Sequence, residues 1–249
     1  MKKLDTCLLI DNSNSRTKFA LSTADGIGAP RILPTEELAA PAIRGLLADW
    51  CFGRVYACSV VPAAREIISD ALAEYPVRWL THDSVSLVDF SAYPGVSTLG
   101  ADRIANALAA VAHAPLPLVA VDMGTATTFE VVVQGGGAPF FVGGIITPGF
   151  KSFAACLPAN TAMLPAVESG APAHFIGRST REAMSAGVVA GYAGLLDSLL
   201  DGIENELGEN VSVVFTGGDA ALFAPLMRHC GKCVASLTLQ GLARWASSL

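Results

Sequence analysis

The sequence predicts two related α/β domains, one over residues 1–116 and the other over 117–249. Three observations carry this. Apolar, strand-like runs alternate with Ala/Leu-rich helical stretches along the chain, the pattern of layered α/β architecture. A unit of strand, polar turn and strand opens each half: Leu8-Leu9-Ile10 runs into Asp11, and the apolar run 118–121 runs into Asp122. Laid on one another, the two units put Asp11 on Asp122, Ser13 on Gly124, Asn14 on Thr125 and Thr17 on Thr128, a weak internal repeat. Finally, 52% of the 249 residues are hydrophobic and 15% charged. Such a chain buries enough apolar surface to offset its conformational entropy, which excludes disorder.

In the first half, the tip Asn12-Ser13-Asn14-Ser15 leads to a return strand over 17–21. A helix is expected over 36–51, a strand over 54–60 and a second helix over 63–75, and 84–97 reads as loop or strand. Gly100-Ala101-Asp102-Arg103 opens an alanine-rich helix that Ala114-Pro115 ends, and the domain boundary falls near Pro115–Pro117. In the second half, Gly124-Thr125-Ala126-Thr127-Thr128 is the turn and 129–133 the return strand. Gly135-Gly136-Gly137 is a loop, 140–147 a strand and Pro148-Gly149 a turn. Ser179-Thr180-Arg181-Glu182 has the capping-box form and starts a helix. Along it Gly187, Gly191 and Gly194 leave a flat face for close approach of another backbone, within the chain or from a second copy. Leu196, Leu199, Leu200, Ile203 and Leu207 then form an apolar stripe. The last clear strand, 211–215, ends in Thr216-Gly217-Gly218-Asp219, with a helix after it.

Sixteen Lys+Arg against 22 Asp+Glu give a formal charge of −6, with no basic run. Nucleic acid and anionic membrane are therefore unexpected partners. The apolar stretch after Lys3 is broken by Asp5 and stops at Asp11, too short for a signal peptide. No uncharged run of about 20 apolar residues suggests a spanning helix. Six scattered cysteines read as buried hydrophobes in a reducing cytoplasm. Cys230 and Cys233, preceded by His229, form a lone C-x-x-C. Zinc needs about four ligands and no second pair lies at a suitable spacing, so the pair reads as incidental, near a strand start.

The chemistry concentrates in the turns. Small hydroxyl and glycine residues at a hairpin tip let backbone N–H and Ser/Thr O–H groups point at phosphate oxygens. Asp11 and Asp122 would repel phosphates unless a divalent cation bridges them, and Mg²⁺ takes one or two carboxylates. Lys18 adds positive charge on the return strand. Any one such turn is equally a capped turn satisfying its own N–H groups; two matching turns plus Thr216-Gly217-Gly218-Asp219 favour a nucleotide. No G-x-x-x-x-G-K-[ST] occurs and no G-x-G-x-x-G follows the first strand, which excludes a P-loop.

Asp11…Asn14-Ser15…Lys18, Cys58-Ser59-Val60-Val61-Pro62, Gly100-Ala101-Asp102-Arg103, Asp122-Met123-Gly124-Thr125-Ala126-Thr127-Thr128, Gly143-Gly144-Ile145-Ile146-Thr147-Pro148-Gly149 and Thr216-Gly217-Gly218 follow one another in this order. Together they resemble the type III pantothenate kinases of the actin/Hsp70/sugar-kinase superfamily, over about residues 8 to 220. The resemblance implies two ribonuclease H-like (actin-like ATPase) domains with a cleft between them. It implies transfer of the γ-phosphate of ATP to the hydroxyl of pantothenate, the first step toward coenzyme A. Asp102 falls on the catalytic carboxylate. Arg103 holds the pantothenate, with Gly100, Ala101 and Tyr93 in its pocket. Asp11, Asn14, Ser15, Lys18, Gly124, Thr125, Thr127, Thr128, Gly217 and Gly218 fall on the ATP site, and Asp11 and Asp122 on Mg²⁺. The family is homodimeric, with Thr180 reaching the partner's substrate.

Two departures stand out. The first turn usually reads D-x-G-N-T, and here Ser13 and Ser15 replace the glycine and threonine. The second usually ends in Asp, associated with a potassium or ammonium ion, and here Glu130 is one methylene longer, which predicts a weakened or altered monovalent-cation dependence. The rival readings are a relative that lost turnover and acts as a binding or regulatory protein, as the name Bvg accessory factor suggests, or a superfamily kinase acting on a sugar or another small alcohol.

Overall fold

The computed structural model describes residues 6–167 and 170–249. Strand β1 (Cys7–Asn12) folds back on β2 (Arg16–Thr23), the expected hairpin. The short strands β3 (Gly26–Ile27) and β4 (Arg31–Pro34) both pair with β2. Helix α1 (Ala40–Leu46), strand β5 (Arg54–Ser59), helix α2 (Pro62–Ala71), strand β6 (Val77–Trp79) and helix α3 (Ala101–Ala110) follow. Next come the hairpin β7 (Leu118–Met123) and β8 (Ala126–Val133), strand β9 (Phe140–Pro148) and helix α4 (Phe150–Asn160). Helices α5 (Thr180–Ser185) and α6 (Gly191–Leu207) lead to β10 (Ser212–Thr216), α7 (Ala220–Phe223), β11 (Gly231–Cys233) and α8 (Leu237–Ser247).

Two sheets result, and they repeat one topology. The first runs β3-β2-β1-β5-β6 and the second β11-β10-β7-β8-β9. In each, the leading strand pairs antiparallel with its hairpin partner and parallel with a later strand: β1 with β2 and β5, β7 with β8 and β10. The repeat holds up to the carboxylate and slips by one residue beyond the turn. Asn12 faces Thr17 and Asp11 faces Lys18, whereas Met123 faces Thr127 and Asp122 faces Thr128. The first turn is therefore one residue longer. Thr17 matches Thr127, not Thr128, and Lys18 has Thr128 as its counterpart.

Alternation along the strands sorts the side chains. On β1, Leu8 and Ile10 join Phe19, Val55, Ala57, Ile43 and Ile68 in a core with α1 and α2. Leu9 is also fully buried, on the opposite face, where α3 and α8 meet β5 and β1. Burial on both faces explains the unbroken apolar run that marks these strands in the sequence. In the second sheet Val119, Val121, Met123, Phe129 and Val131 pack with Tyr192, Leu196 and Phe215.

Local chemistry explains where elements differ from the sequence reading. The helix expected over 36–51 is a 3₁₀ turn at Thr35–Glu37 and then α1, because Pro41 sits at the start of α1 and its ring bars an α-helix from running through it. Helix α4 was not foreseen: Gly149 precedes it without a side-chain cap, and it contains Pro158. Ser179 Oγ accepts the Glu182 N–H at 3.2 Å, as the capping box predicts. The Glu182 carboxylate bonds back one residue earlier than a full box, to Arg178 N at 2.8 Å. A π-helical turn over Ala186–Ala190 joins α5 to α6, so 180–207 is one helical run. It is long and apolar enough to cross a membrane by length and composition, although Arg181, Glu182 and Asp197 interrupt it, so the expectation of no uncharged run of that length stands. Half of its most apolar window is buried inside the protein, as suits a core helix.

The chain divides into two compact units. One takes in residues up to Ala112, then Gln134–Val142 and Ser236–Leu249; the other takes in His113–Val133 and Gly143–Ala235. The first crossing falls between Ala112 and His113, and α8 belongs to the first unit. There a Cβ on Gly241 would collide with the Ala105 carbonyl and lie 2.8 Å from the Ala105 Cα. Thr238 Oγ1 donates to Asn106 Oδ1 at 3.0 Å, Trp245 Nε1 donates to the Ser84 carbonyl at 2.8 Å, and the Trp245 ring meets Tyr56 edge-on. Gly241→Val forces these two helix backbones apart. It should cost about 1–3 kcal/mol, the usual penalty of overpacking, read as a lower urea midpoint at unchanged m-value.

Candidate active site

The first unit builds its site on the end of β1. Asp11 is 1% exposed. Lys18 Nζ lies 2.9 Å from its Oδ2, and Ser13 Oγ donates to its Oδ1 at 3.1 Å. Behind this tip the next residues in alternation form a buried polar network. Asn12 Nδ2 donates to Thr17 Oγ1 at 2.7 Å, and Ser59 Oγ donates to Asn12 Oδ1 at 2.6 Å. Thr35 closes it: its Oγ1 donates to the Ser13 carbonyl at 2.7 Å and its N–H donates to the Ser15 carbonyl at 3.1 Å. Asn14 and Ser15 project from the clamped tip, exposed.

The Cys58 thiol is paired in register with Asp11, its Sγ 3.9 Å from Asp11 Oδ1. Burial first, and then the nearby charges of Asp11 and Asp102, raise its pKa well above the ordinary thiol value. Asp102 itself stands in the first turn of α3. Asp102 Oδ1 accepts the Arg103 N–H at 2.8 Å. A Cβ at Gly100 would stand 2.5 Å from that oxygen, so glycine leaves the carboxylate its room, and Ala101, the first residue of α3, adds only a methyl.

Arg103, 9% exposed, stands with its guanidinium 6.0 Å from the centroid of Phe141. Tyr93 meets the same ring edge-on at 5.2 Å, and Phe90 packs on it as well. Phe141 reaches this unit through a bridge between Asp89 and Phe140: Asp89 N bonds Pro139 O, and Phe141 N bonds Asp89 O at 2.9 Å. The structure therefore brings Tyr93 and Arg103 to one aromatic ring. Sequence reasoning missed Phe141, which carries no local signal, and the clamp residue Thr35, and it gave no role to Ser59 although that residue lies in a block that carries the resemblance.

The second unit repeats the strand end, with Thr128 at the register position that Lys18 holds in the first. Asp122 and Thr128 face one another across β7 and β8. Thr128 and Glu130, two residues apart, share that face of the sheet, and Glu130 is fully buried. Thr127 points the other way, into the core, where its Oγ1 lies 2.6 Å from the Tyr192 hydroxyl. Burial raises the pKa of that phenol. The Thr127 hydroxyl is thus built into the protein, while Gly124 is partly exposed and Thr125 exposed.

Two segments press on this turn. Gly149 N donates to the Thr125 carbonyl at 3.2 Å, and a Cβ there would lie 2.6 Å from the same oxygen. Gly217 has φ +95°, a conformation that favours glycine, and a Cβ on it would stand 2.6 Å from Asp122 Oδ1. Asp219 N donates to the Met123 carbonyl at 3.1 Å. Gly218 has nothing within 4 Å of where a Cβ would be. Asp122, Gly124, Thr125, Thr128, Gly217 and Gly218 are thereby gathered. Thr180 lies apart from them in sequence, exposed at the start of α5, and Gly187, Gly191 and Gly194 are exposed with open space before them.

Comparison with known proteins bears on this arrangement. Residues 7–202 match the family model for type III pantothenate kinase. A type III pantothenate kinase from Akkermansia muciniphila is 42% identical over 95% of this chain and 96% of its own length. Among solved structures, a conserved putative Baf family transcriptional activator from Campylobacter jejuni superposes with TM-score 0.63 at 21% identity, covering 97% of this chain and 98% of that one. A glucokinase from an Antarctic psychrotroph gives TM-score 0.56 at 11% identity over 98% and 99% of the two chains. At these identities the structural likenesses establish the fold, that of the sugar kinases and actin-like ATPases. On the sequence match, the chain belongs to the type III pantothenate kinase family.

Proposed function

We propose that this chain transfers the γ-phosphate of ATP to the hydroxyl of pantothenate, giving 4'-phosphopantothenate and opening coenzyme A biosynthesis. Family membership supports the reaction. The observations that carry the residue assignment are Asp11, buried at the end of β1 with Lys18 Nζ 2.9 Å from its Oδ2, and Asp102, which opens α3 beside Arg103 at the Phe141 ring. Phosphoryl transfer asks a protein for positioning and charge neutralisation more than for covalent chemistry. Asp102, in the room that Gly100 leaves, orients the pantothenate hydroxyl and takes its proton. Arg103 offers paired donors to the pantothenate carboxylate, beside an apolar wall of Tyr93 and Phe141.

The donor set suits a magnesium nucleotide: two carboxylates at strand ends, each beside a turn of exposed small residues. Asp11 and Asp122 would hold Mg²⁺, which when bound neutralises phosphate charge. Lys18 balances Asp11. Backbone N–H groups and hydroxyls at Asn14, Ser15, Gly124, Thr125 and Thr128 receive the phosphates, and the open side of Gly217-Gly218 takes part of the nucleotide. Thr127 serves as a support of its turn, through Tyr192. The buried Glu130, on the face that carries Asp122, is the candidate for a monovalent cation such as potassium or ammonium. The exposed glycine face behind Thr180 supports a homodimer in which Thr180 approaches the partner's substrate. All six cysteines are free thiols, as suits a reducing compartment, but only Cys58 is buried, and Cys51, Cys156, Cys230 and Cys233 are exposed, which corrects the reading of them as buried hydrophobes.

The decisive assay is phosphorylation of pantothenate with Mg-ATP and potassium, run beside Asp102→Asn. Wild-type turnover with a kcat loss of about 10²–10⁴-fold in the variant is expected; nucleotide and pantothenate binding without product would favour the regulatory reading instead. Thr35→Val removes the donor that holds the Ser13 carbonyl. It should cost about 1 kcal/mol of stability and raise KM for ATP several-fold while KM for pantothenate holds. Glu130→Asp should strengthen activation by potassium over sodium relative to the wild type, checked by rates in matched chloride salts. Wild-type activation already as strong as in that variant would count against the role given to Glu130.

A further inference from the structure

A second constellation lies in the second unit, apart from every residue used above. Asp197, Asp201 and Glu204 stand at i, i+4 and i+7 on α6, hence on one face, and His229 reaches them from the segment before β11. Each side chain has one end anchored. His229 Nδ1 lies 2.7 Å from Oδ1 of Asp197, which is buried and also accepts the Arg228 and His229 N–H groups. Asp201 Oδ2 takes the Arg228 guanidinium at 2.7 Å, and Glu204 Oε1 accepts the Val211 N–H at 3.0 Å. The other ends converge: His229 Nε2 stands 3.5 Å from Glu204 Oε2 and 3.6 Å from Asp201 Oδ1. The three residues offer ligand atoms all within 4.8 Å of one another.

Those separations are long for hydrogen bonds. They match the edge of a coordination polyhedron, because metal–ligand bonds of about 2.1 Å at tetrahedral angles put neighbouring donors about 3.4 Å apart. The anchoring follows the outer-shell logic of metal sites, in which a carboxylate holds one imidazole nitrogen and fixes the tautomer that offers the other. Charge points the same way: three carboxylates face one guanidinium, an excess that one divalent cation offsets. An open depression lined by Asp201, Glu204, Gly208 and Glu209 gives access.

We infer that His229, Glu204 and Asp201 form a structural site for one Zn²⁺ ion, which ties the segment before β11 to α6. Imidazole with two carboxylates and room for water suits zinc better than magnesium, which prefers an all-oxygen octahedron. The cysteines next to His229 take no part. Cys230 and Cys233 are exposed free thiols, and the histidine turns to the helix carboxylates instead.

The test uses full-length protein stripped with chelator, titrated without nucleotide with Co²⁺ by visible absorption and with Zn²⁺ by calorimetry. The expected result is one ion per chain at micromolar or better affinity, with cobalt d–d bands and no thiolate charge-transfer band. His229→Gln and, independently, Glu204→Gln should each weaken binding by about a hundredfold, with circular dichroism confirming the fold. If His229→Gln fails to fold, Glu204→Gln decides. The double variant Cys230→Ser/Cys233→Ser and the variant Asp122→Asn should bind as the wild type does. No binding in the micromolar range would overturn the site and leave His229 hydrogen-bonded to the carboxylates of α6. So would loss of binding in the cysteine double variant, or indifference to both ligand substitutions.

Discussion

The alternation of side chains along a strand governs both halves of this protein. A central strand buried on two faces has no solvent side, so a polar residue survives at its end only where a partner or a ligand waits. β1 and β7 end in that way. On one face the terminal hydroxyl, Thr17 or Thr127, is absorbed into the core by Asn12 or Tyr192. On the other the carboxylate, Asp11 or Asp122, stands at the strand's end beside a turn of small residues. Shifting either hairpin by one residue would exchange those roles, sending the carboxylate into the core and the structural hydroxyl outward. Register is thus the quantity on which the chemistry rests, and parallel pairing with β5 and β10 fixes it from the far side.

Much of this was legible in the sequence, because an unbroken apolar run that ends in Asp and gives way to small polar residues marks a buried strand delivering a carboxylate to a turn. The two hairpins, β5, β9 and β10, both carboxylates and the capped start of α5 could be read locally, whereas the short strands β3, β4 and β6 could not. The one-residue slip between the repeats could not, since Thr127 and Thr128 are adjacent hydroxyls and either satisfies the pattern. Only the ladder shows which of them faces Asp122. The return of α8 to the first unit is likewise invisible, because it depends on Gly241 meeting Ala105 across more than a hundred residues of chain. Phe141 was missed for the same reason: its place beside Arg103 and Tyr93 is set by one bridge to Asp89.

The departures from the family pattern have different weights. Ser13 stands where a glycine is usual, yet among the described residues the only non-glycine with positive φ is Ser236. The backbone at Ser13 is thus one that any residue adopts, and its hydroxyl is spent on Asp11. A Cβ at Gly124, the matching position, would meet neighbours at 3.5 Å or more, ordinary contact distance. Glycine there is convenient rather than forced. Gly217 is another matter, with a left-handed backbone and Asp122 closing on it. Glu130 is the departure that bears on the cation site proposed above, because an added methylene in a fully buried position has nowhere to go without moving its carboxylate.

The discontinuity of the first unit bears on synthesis. Its sheet is encoded first, yet the seam between α3 and α8 needs residues 236–249, which follow all of the second unit. On the ribosome, the later-encoded unit has its full complement of chain while the earlier one still lacks a helix. Until α8 arrives, the faces of Tyr56 and Ala105 that it covers are open to water and to chaperones. The half of the protein that begins first is the half that finishes last.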